Sequence, residues 1–252
     1  MTRWGWLGVL CGLAAAVSAA AAPAALPLYA HSLEGAVYPD GPSPRPRPGG
    51  GPRAFSLALA MSLQARLGQV QPISVVPLAR ALMVLDRRQP AMLVGLFRTP
   101  GREARYQWLV PLYRDKLVFY EARQRPVAAT SWQQARDVPV CVVQGSAPEE
   151  YARQFGLTRL ERANGYALCL RMLLAGRVRL AALVSGDLQA KLKEAGVSAE
   201  ALQASQLPAV PLESFLVASL STPSTVVDAW RHAWQQLNAD AEYLHLRQRY
   251  WP

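Results

Sequence analysis

Two hydrophobic rhythms alternate along this chain. The first apolar run, LPLYAH at residues 26–31, is short and reads as a strand. From Ala54 to Gly68, Phe55, Leu59, Leu63 and Leu67 recur at helical spacing, and Gly68 ends the pattern. Ile73–Val76 predicts a short strand, Pro77–Arg88 an amphipathic helix and Ala91–Leu96 a buried strand. Strand–helix–strand–helix–strand predicts a right-handed parallel α/β unit. The Pro/Gly-rich stretch DGPSPRPRPGGGPR at residues 40–53 is a loop within it.

A second set of elements follows. Lys116–Arg123 (KLVFYEAR) is extended and leaves the first unit, and Thr130–Asp137 (TSWQQARD) predicts a short capped helix. Strand Val138–Val143, turn Gln144-Gly145-Ser146 and helix Pro148–Phe155 come next. Helix Tyr166–Ala175, strand Leu180–Val184 and helix Leu188–Glu194 complete the set. Glu213–Leu220 is extended again. Thr222-Pro223 opens a long helix, Ser224–Leu237, with Val226, Val227, Trp230, Trp234 and Leu237 on one face. The expected outcome is two α/β lobes joined by two extended crossings.

Composition agrees with a folded, two-lobed chain. Of 252 residues, 51% are hydrophobic and 17% charged, enough for a substantial core. Arg3, the apolar stretch Trp4–Val17 and the small residues Ser18–Ala25 read as a cleavable leader, residues 1–22. That predicts export to the periplasm and a soluble mature chain. The formal charge of +10 falls to about +9 without Arg3, and the basic residues are dispersed, which argues against nucleic acid. An exported location permits a Cys141–Cys169 disulfide. With Cys141 in a strand and Cys169 in a helix, two buried thiols that never meet is the more ordinary expectation. His31, His232 and His245 are too dispersed for a metal site or a triad, and Ser146 lacks a nucleophile motif. No metal and no cofactor are expected.

The candidate chemistry centres on Ala91–Tyr113. Thr99-Pro100 reads as a helix start after the apolar strand, placing Arg102 in the first turn beside unpaired amides. A cation there is unfavourable unless an anion offsets it, and a carboxylate gripped by Arg102 and backbone amides resolves the conflict. Ser146-Ala-Pro-Glu149 is a capping box, so a second helix end offers oriented N–H groups.

The order of the pieces resembles the bacterial extracellular solute-binding proteins of family 3, the periplasmic receptors for polar amino acids. Four segments carry the resemblance, which spans about Leu26 to Trp251. They are PLARALMVLDRRQPAMLVGLFRTPGREARYQWLVPLY, TSWQQARDVPVCVVQGSAPEEYARQFG, RMLLAGRVRLAALVS and LSTPSTVVDAWRHAWQQLNADAEYLHLRQRYW. The resemblance implies a two-lobed Venus flytrap with two hinge crossings, lobe 1 being residues 23–121 plus 212–252 and lobe 2 residues 122–211. By position, Arg102 matches the residue that clamps the ligand carboxylate. Gly95 and Phe97 match ligand-contacting positions, and Gly145, Ser146 and Ala147 match the amide-donating turn. Tyr38 falls where the family has an aromatic over the ligand, or is a half-buried loop tyrosine. Arg80 lines the cleft mouth or points to solvent. Phe97 replaces the usual hydroxyl. Near Val184–Ser185, where an acid would grip an ammonium, neither residue is acidic, and Asp187 is expected to start the next helix. A carboxylate solute with an apolar or neutral remainder is therefore expected, at a site that includes Ser185.

The implied function is capture of a small carboxylate-bearing solute by a monomer, without catalysis, for an ABC permease or a sensor at the inner membrane. Two alternatives stay open. One is a periplasmic enzyme like cyclohexadienyl dehydratase, disfavoured because no acid is evident at the ligand-facing turns. The other is a degenerate receptor feeding a sensor.

Overall fold

The computed structural model describes residues 25–38, 43–87 and 89–251. The expected leader lies outside these residues. Among them, no helix is long and apolar enough to cross a membrane.

The first unit begins with β1 (Leu28–Ala30) and a short ribbon of β2 (Val37–Tyr38) and β3 (Arg45–Pro46), the latter in the stretch expected to be loop. Next come α1 (Gly51–Arg66), β4 (Ile73–Val75), α2 (Leu78–Leu85) and β5 (Met92–Phe97). Helix α1 starts three residues earlier than its apolar spacing suggests, because Pro52 suits a first turn, where no amide partner is needed. The long strand β6 (Tyr106–Ala122) leads into the second unit. That unit holds β7 (Val140–Val143), α3 (Ala147–Gln154), β8 (Leu160–Ala163), α4 (Tyr166–Leu174), β9 (Leu180–Val184), α5 (Leu188–Ala195) and β10 (Leu202–Ala204). Strand β11 (Val210–Ser219) returns, followed by α6 (Ser224–Asn238) and α7 (Ala241–Tyr250).

One nine-stranded sheet runs through both units in the order β4-β1-β5-β11-β6-β9-β7-β8, with β10 also on β6. Strand β1 is parallel to β4 and β5, and β7 is parallel to β8 and β9, giving each lobe the expected parallel core. The lobes join through β6 and β11, antiparallel from Tyr106↔Ser219 to Leu117↔Val210. Strand β11 also pairs with β5 at Ser214–Ala218, and β6 with β9 at Leu117–Tyr120. The two antiparallel strands are the bridge between these anchorages.

Both sheet faces are covered in each lobe, so the strands are apolar on both sides. In lobe 2, Val140, Val142, Leu180 and Ala182 face one cluster, while Cys141, Ala181 and Leu183 face another. In lobe 1, Met92 and Val94 pack with Phe55, Leu59, Leu63 and Trp230, while Leu93 and Leu96 pack toward Ala81 and Leu85 of α2.

Three expectations need correction. Residues 131–137 form successive turns rather than a helix. Gln134 Oε1 accepts from the Thr130 amide at 2.9 Å, a capping contact, but Trp132 is drawn inward to stack on Phe155 at 4.1 Å and against Phe119. Tertiary packing overrides the local signal. Thr99-Pro100 opens a single 3-10 turn, Pro100–Arg102, and no Thr side chain caps it. The Thr222 hydroxyl likewise pairs with Ser219 Oγ at 3.0 Å instead of capping α6. Finally, Cys141 and Cys169 are joined as a disulfide, because α4 lies across β7 and brings their Cα atoms to 5.3 Å.

Candidate ligand cleft

The carboxyl ends of β1, β5 and β7 converge on one cleft between the lobes, where parallel α/β sheets place ligands. The start of α1 brings Arg53 and Ser56 to it, α2 brings Leu78, α3 brings Ser146 and Ala147, and α4 brings Tyr166. His31, Leu33, Val94, Gly95, Leu96, Phe97, Arg102 and Tyr113 complete the lining, and the space among them is partly continuous with solvent. Four helix N-termini around one cleft give it a positive bias. The walls are largely aromatic and aliphatic.

Gly95 shapes the lobe 1 wall. It is the extra residue of a bulge in β5, since Leu96 pairs with Phe215 and Val94 with Leu216. Its φ of 88° is in the left-handed region, which turns its carbonyl out of the ladder, 3.0 Å from His31 Nε2. Gly95→Ala will therefore lower stability by about 1–2 kcal/mol in urea unfolding, from backbone strain alone. The added Cβ itself has room, His31 Nε2 being its closest neighbour at 3.9 Å. Phe97 is buried and meets Tyr113 edge-on at 5.8 Å.

Arg102 reaches across the cleft. Its side chain is 1% exposed, though its backbone belongs to the 3-10 turn after β5. Nη1 donates to Phe97 O at 3.1 Å in its own lobe, and Nη2 to Gly145 O at 2.8 Å in the other. Nε donates to Glu150 Oε1 at 2.7 Å, and Nη2 lies 2.5 Å from the same oxygen. The Thr99 hydroxyl donates to Glu150 Oε2 at 2.6 Å. A carboxylate does offset the arginine, as its sequence position demands, and it is the chain's own.

The facing turn is built around Glu149. Ser146 Oγ caps α3 by accepting from the Glu149 amide at 3.3 Å. The Glu149 carboxylate accepts from the Gly145 amide at 2.7 Å, from Arg153 at 2.7 Å and from Arg162 at 2.5 Å. The Gly145 and Ser146 amides are thus engaged inside lobe 2, the latter with Val143 O, and the turn meets Arg102 through a carbonyl. Burial opposes ionisation of Glu149, but Arg162, Arg153 and the Gly145 amide outweigh it and hold its carboxyl below the usual range. A carboxyl lowered on folding stabilises fully above its unfolded value and loses that contribution as pH falls through its folded value. The urea midpoint should therefore hold from neutrality to about pH 5 and drop below about pH 4.3. Glu149→Gln should flatten that drop in part, because Glu103, Asp240 and Glu242 are also lowered.

The remaining expected site residues lie elsewhere. Tyr38 is 43% exposed and faces the guanidinium groups of Arg45 and Arg47 at about 5.5 Å, away from the cleft lining. Arg80 is exposed on α2 and is also absent from the lining. Ser185 Oγ donates to Asp115 Oδ1 at 2.8 Å, and the Gly186 amide donates to the same carboxylate, in a groove along the hinge strands. An acid thus stands beside Ser185, supplied by β6, and it faces the hinge groove. The side chain of Asp187 lies outside the described residues.

Sequence reasoning missed Glu150, His31, Arg53, Tyr113 and Tyr166. None of the residues lining the cleft is acidic, but Glu150 meets Arg102 at the lobe junction, a pairing that depends on lobe packing no local pattern reveals. Arg53 and Tyr166 are shared with an adjoining pocket that also holds Lys191, Glu34 and Glu194. Lys191, 4% exposed, donates to Val184 O at 2.7 Å and stands 4.3 Å over the Tyr166 ring, with Arg53 at 5.9 Å.

No family model matches the chain, and no curated protein matches it. Solved structures do. A histidine kinase sensor domain with similarity to periplasmic binding proteins superposes with a TM-score of 0.74, at 13% identity over 89% of this chain and 95% of that one. The substrate-binding protein of an amino acid ABC transporter gives 0.70 at 15% identity, over 90% and 99%. The ancestral amino acid-binding protein AncCDT-1, a precursor of cyclohexadienyl dehydratase, gives 0.66 at 14% identity, over 90% and 95%. With its parallel lobes, its two crossing strands and this shared architecture, the chain has the two-lobed fold of the periplasmic binding proteins.

Proposed function

We propose that the chain is a non-catalytic solute-binding protein that captures a small carboxylate between its lobes. One observation carries the reading: the guanidinium of Arg102, buried at the lobe junction, already grips a carboxylate together with Thr99. Phe97, Tyr113 and Tyr166 in the lining favour an apolar or aromatic remainder, and Arg53 disfavours an ammonium group. Binding of such a solute shifts the open–closed balance of the lobes, and no bond needs to be made or broken. The disulfide suits the oxidising periplasm that the leader predicts. A membrane permease or a sensor is the receiving partner, and the fold is shared with the substrate-binding protein of an ABC transporter and with the sensor domain of a histidine kinase.

The test is a thermal-shift screen of amino acids, keto acids and aromatic acids, each beside its neutral amide. A true ligand at one hundred times its Kd adds about 2.7 kcal/mol, which raises Tm by about 5–10 °C for a chain of this size. The amide should give no shift. A screen in which no carboxylate stabilises the protein overturns the reading. The dehydratase alternative predicts instead an aromatic product on incubation with prephenate. In this structure the residues lining the cleft include no acid, and Glu150, which meets Arg102 at the lobe junction, is ion-paired and so engaged as an acceptor.

A further inference from the structure

We propose that Glu150 is a built-in stand-in for the ligand carboxylate, a latch that holds the unliganded lobes together and competes with solute for Arg102. The competition part rests on the solute-binding reading above; the latch itself does not.

The contrast between two adjacent glutamates on α3 supports this role. The Glu149 carboxylate is tied within its own lobe, to the Gly145 amide, Arg153 and Arg162. The hydrogen bonds described for the Glu150 carboxylate all go to the opposite lobe: Oε1 takes Arg102 Nε and Nη2, and Oε2 takes the Thr99 hydroxyl. Both donors belong to one Thr-Pro-Gly-Arg turn, so two side chains grip a single carboxylate from one side. Charge-assisted bonds of this kind are the strong ones, and here they bridge surfaces that must separate when the hinge opens. Arg102 is almost fully buried while Glu150 is 32% exposed. The glutamate can therefore swing to solvent while the arginine stays in place, as a displaceable occupant requires.

An incoming carboxylate would use the same donors, and two carboxylates cannot share them without like-charge repulsion. The tethered one has the advantage of high effective concentration. A solute must displace it, so its apparent affinity falls by the fraction of molecules in which the latch is open.

Small-angle X-ray scattering of the unliganded protein tests the latch. Glu150→Ala should increase the radius of gyration relative to wild type, and Glu150→Lys, which adds repulsion toward Arg102, should increase it further. The lysine variant also decides the matter if the alanine variant does not fold. Equal radii for wild type and folded variants overturn the latch, whatever solutes the protein binds. Titration with benzoate, a carboxylate with an apolar remainder, tests the competition. Glu150→Ala should bind it about tenfold more tightly, the gain expected if the latch holds about nine-tenths of unliganded molecules. Equal or weaker binding by Glu150→Ala overturns the competition. If the radii differ while neither benzoate nor any other screened acid binds, the solute-binding reading fails and the latch stands.

Discussion

Arg102→Ala abolishes the thermal stabilisation conferred by a carboxylate solute and weakens its binding at least about thirtyfold. Truncating one partner of a buried, hydrogen-bonded charge pair costs about 2–5 kcal/mol, which is roughly thirtyfold to several thousandfold in Kd. The loss should fall on binding rather than on folding. Glu150 is about one-third exposed and can turn to water when its partner is gone. The Phe97 carbonyl, which loses a donor, lies beside the solvent-connected cleft, and the Gly145 carbonyl beside the open groove between α2 and α3, outside the cleft lining where it was expected. Circular dichroism should show a native spectrum for the variant and calorimetric titration little or no heat. A variant that still binds the same solute with unchanged affinity removes Arg102 from the site.

The second large effect is on stability. Cys141→Ala with Cys169→Ala should lower unfolding free energy by about 3–4 kcal/mol, the loop-entropy value for a closure of this length, the two cysteines being 28 residues apart. For a chain of this size that is a fall in Tm of about 10 °C. The bridge ties α4 to β7 inside the lobe 2 core, and those elements carry Tyr166 and the Ser146 turn to the cleft. Looser anchoring should therefore also weaken solute binding. Urea unfolding of the double variant beside wild type measures the first effect, and equal midpoints would show that packing alone holds this region.

The hydrophobic rhythm of the sequence revealed the fold well where elements bury a face. Strand β9 falls on its expected residues, and β1, β5, α3, α4, α5 and α6 fall within about two residues of theirs. Buried strands of parallel sheets announce themselves as continuous apolar runs, and amphipathic helices by their spacing. The crossing strands were harder to read. Where they cross, they carry exposed Arg114, Lys116 and Glu213 and half-buried Asp115, so β6 looks like a strand only at its lobe 2 end, although it runs unbroken from Tyr106. Its continuity comes from pairing with β11, a partner about one hundred residues away in sequence.

The site divides along the same line. Arg102 and Ser146, read from a turn after a strand and from a capping box, line the cleft, and so do Phe97, Gly95 and Ala147, which the family resemblance placed there. The need for an anion at Arg102 was also legible. Its source was not, because Glu150 meets Arg102 only through the closure of one lobe on the other. The disulfide eluded the sequence for the same reason, since residues in a strand and a helix gave no sign that α4 would cross β7 at that register. Tyr38 and Ser185 were placed by family position and Arg80 by its place in the first turn of a helix, and each has local partners or exposure that takes it out of the lining.

The most direct measurement is a crystal structure of the protein with a carboxylate solute that stabilises it. The solute carboxylate should lie on Arg102 and Thr99, with Glu150 turned outward and aromatic side chains against the remainder. A solute seated elsewhere, with Arg102 still holding Glu150, would contradict both the clamp and the exchange of carboxylates on it.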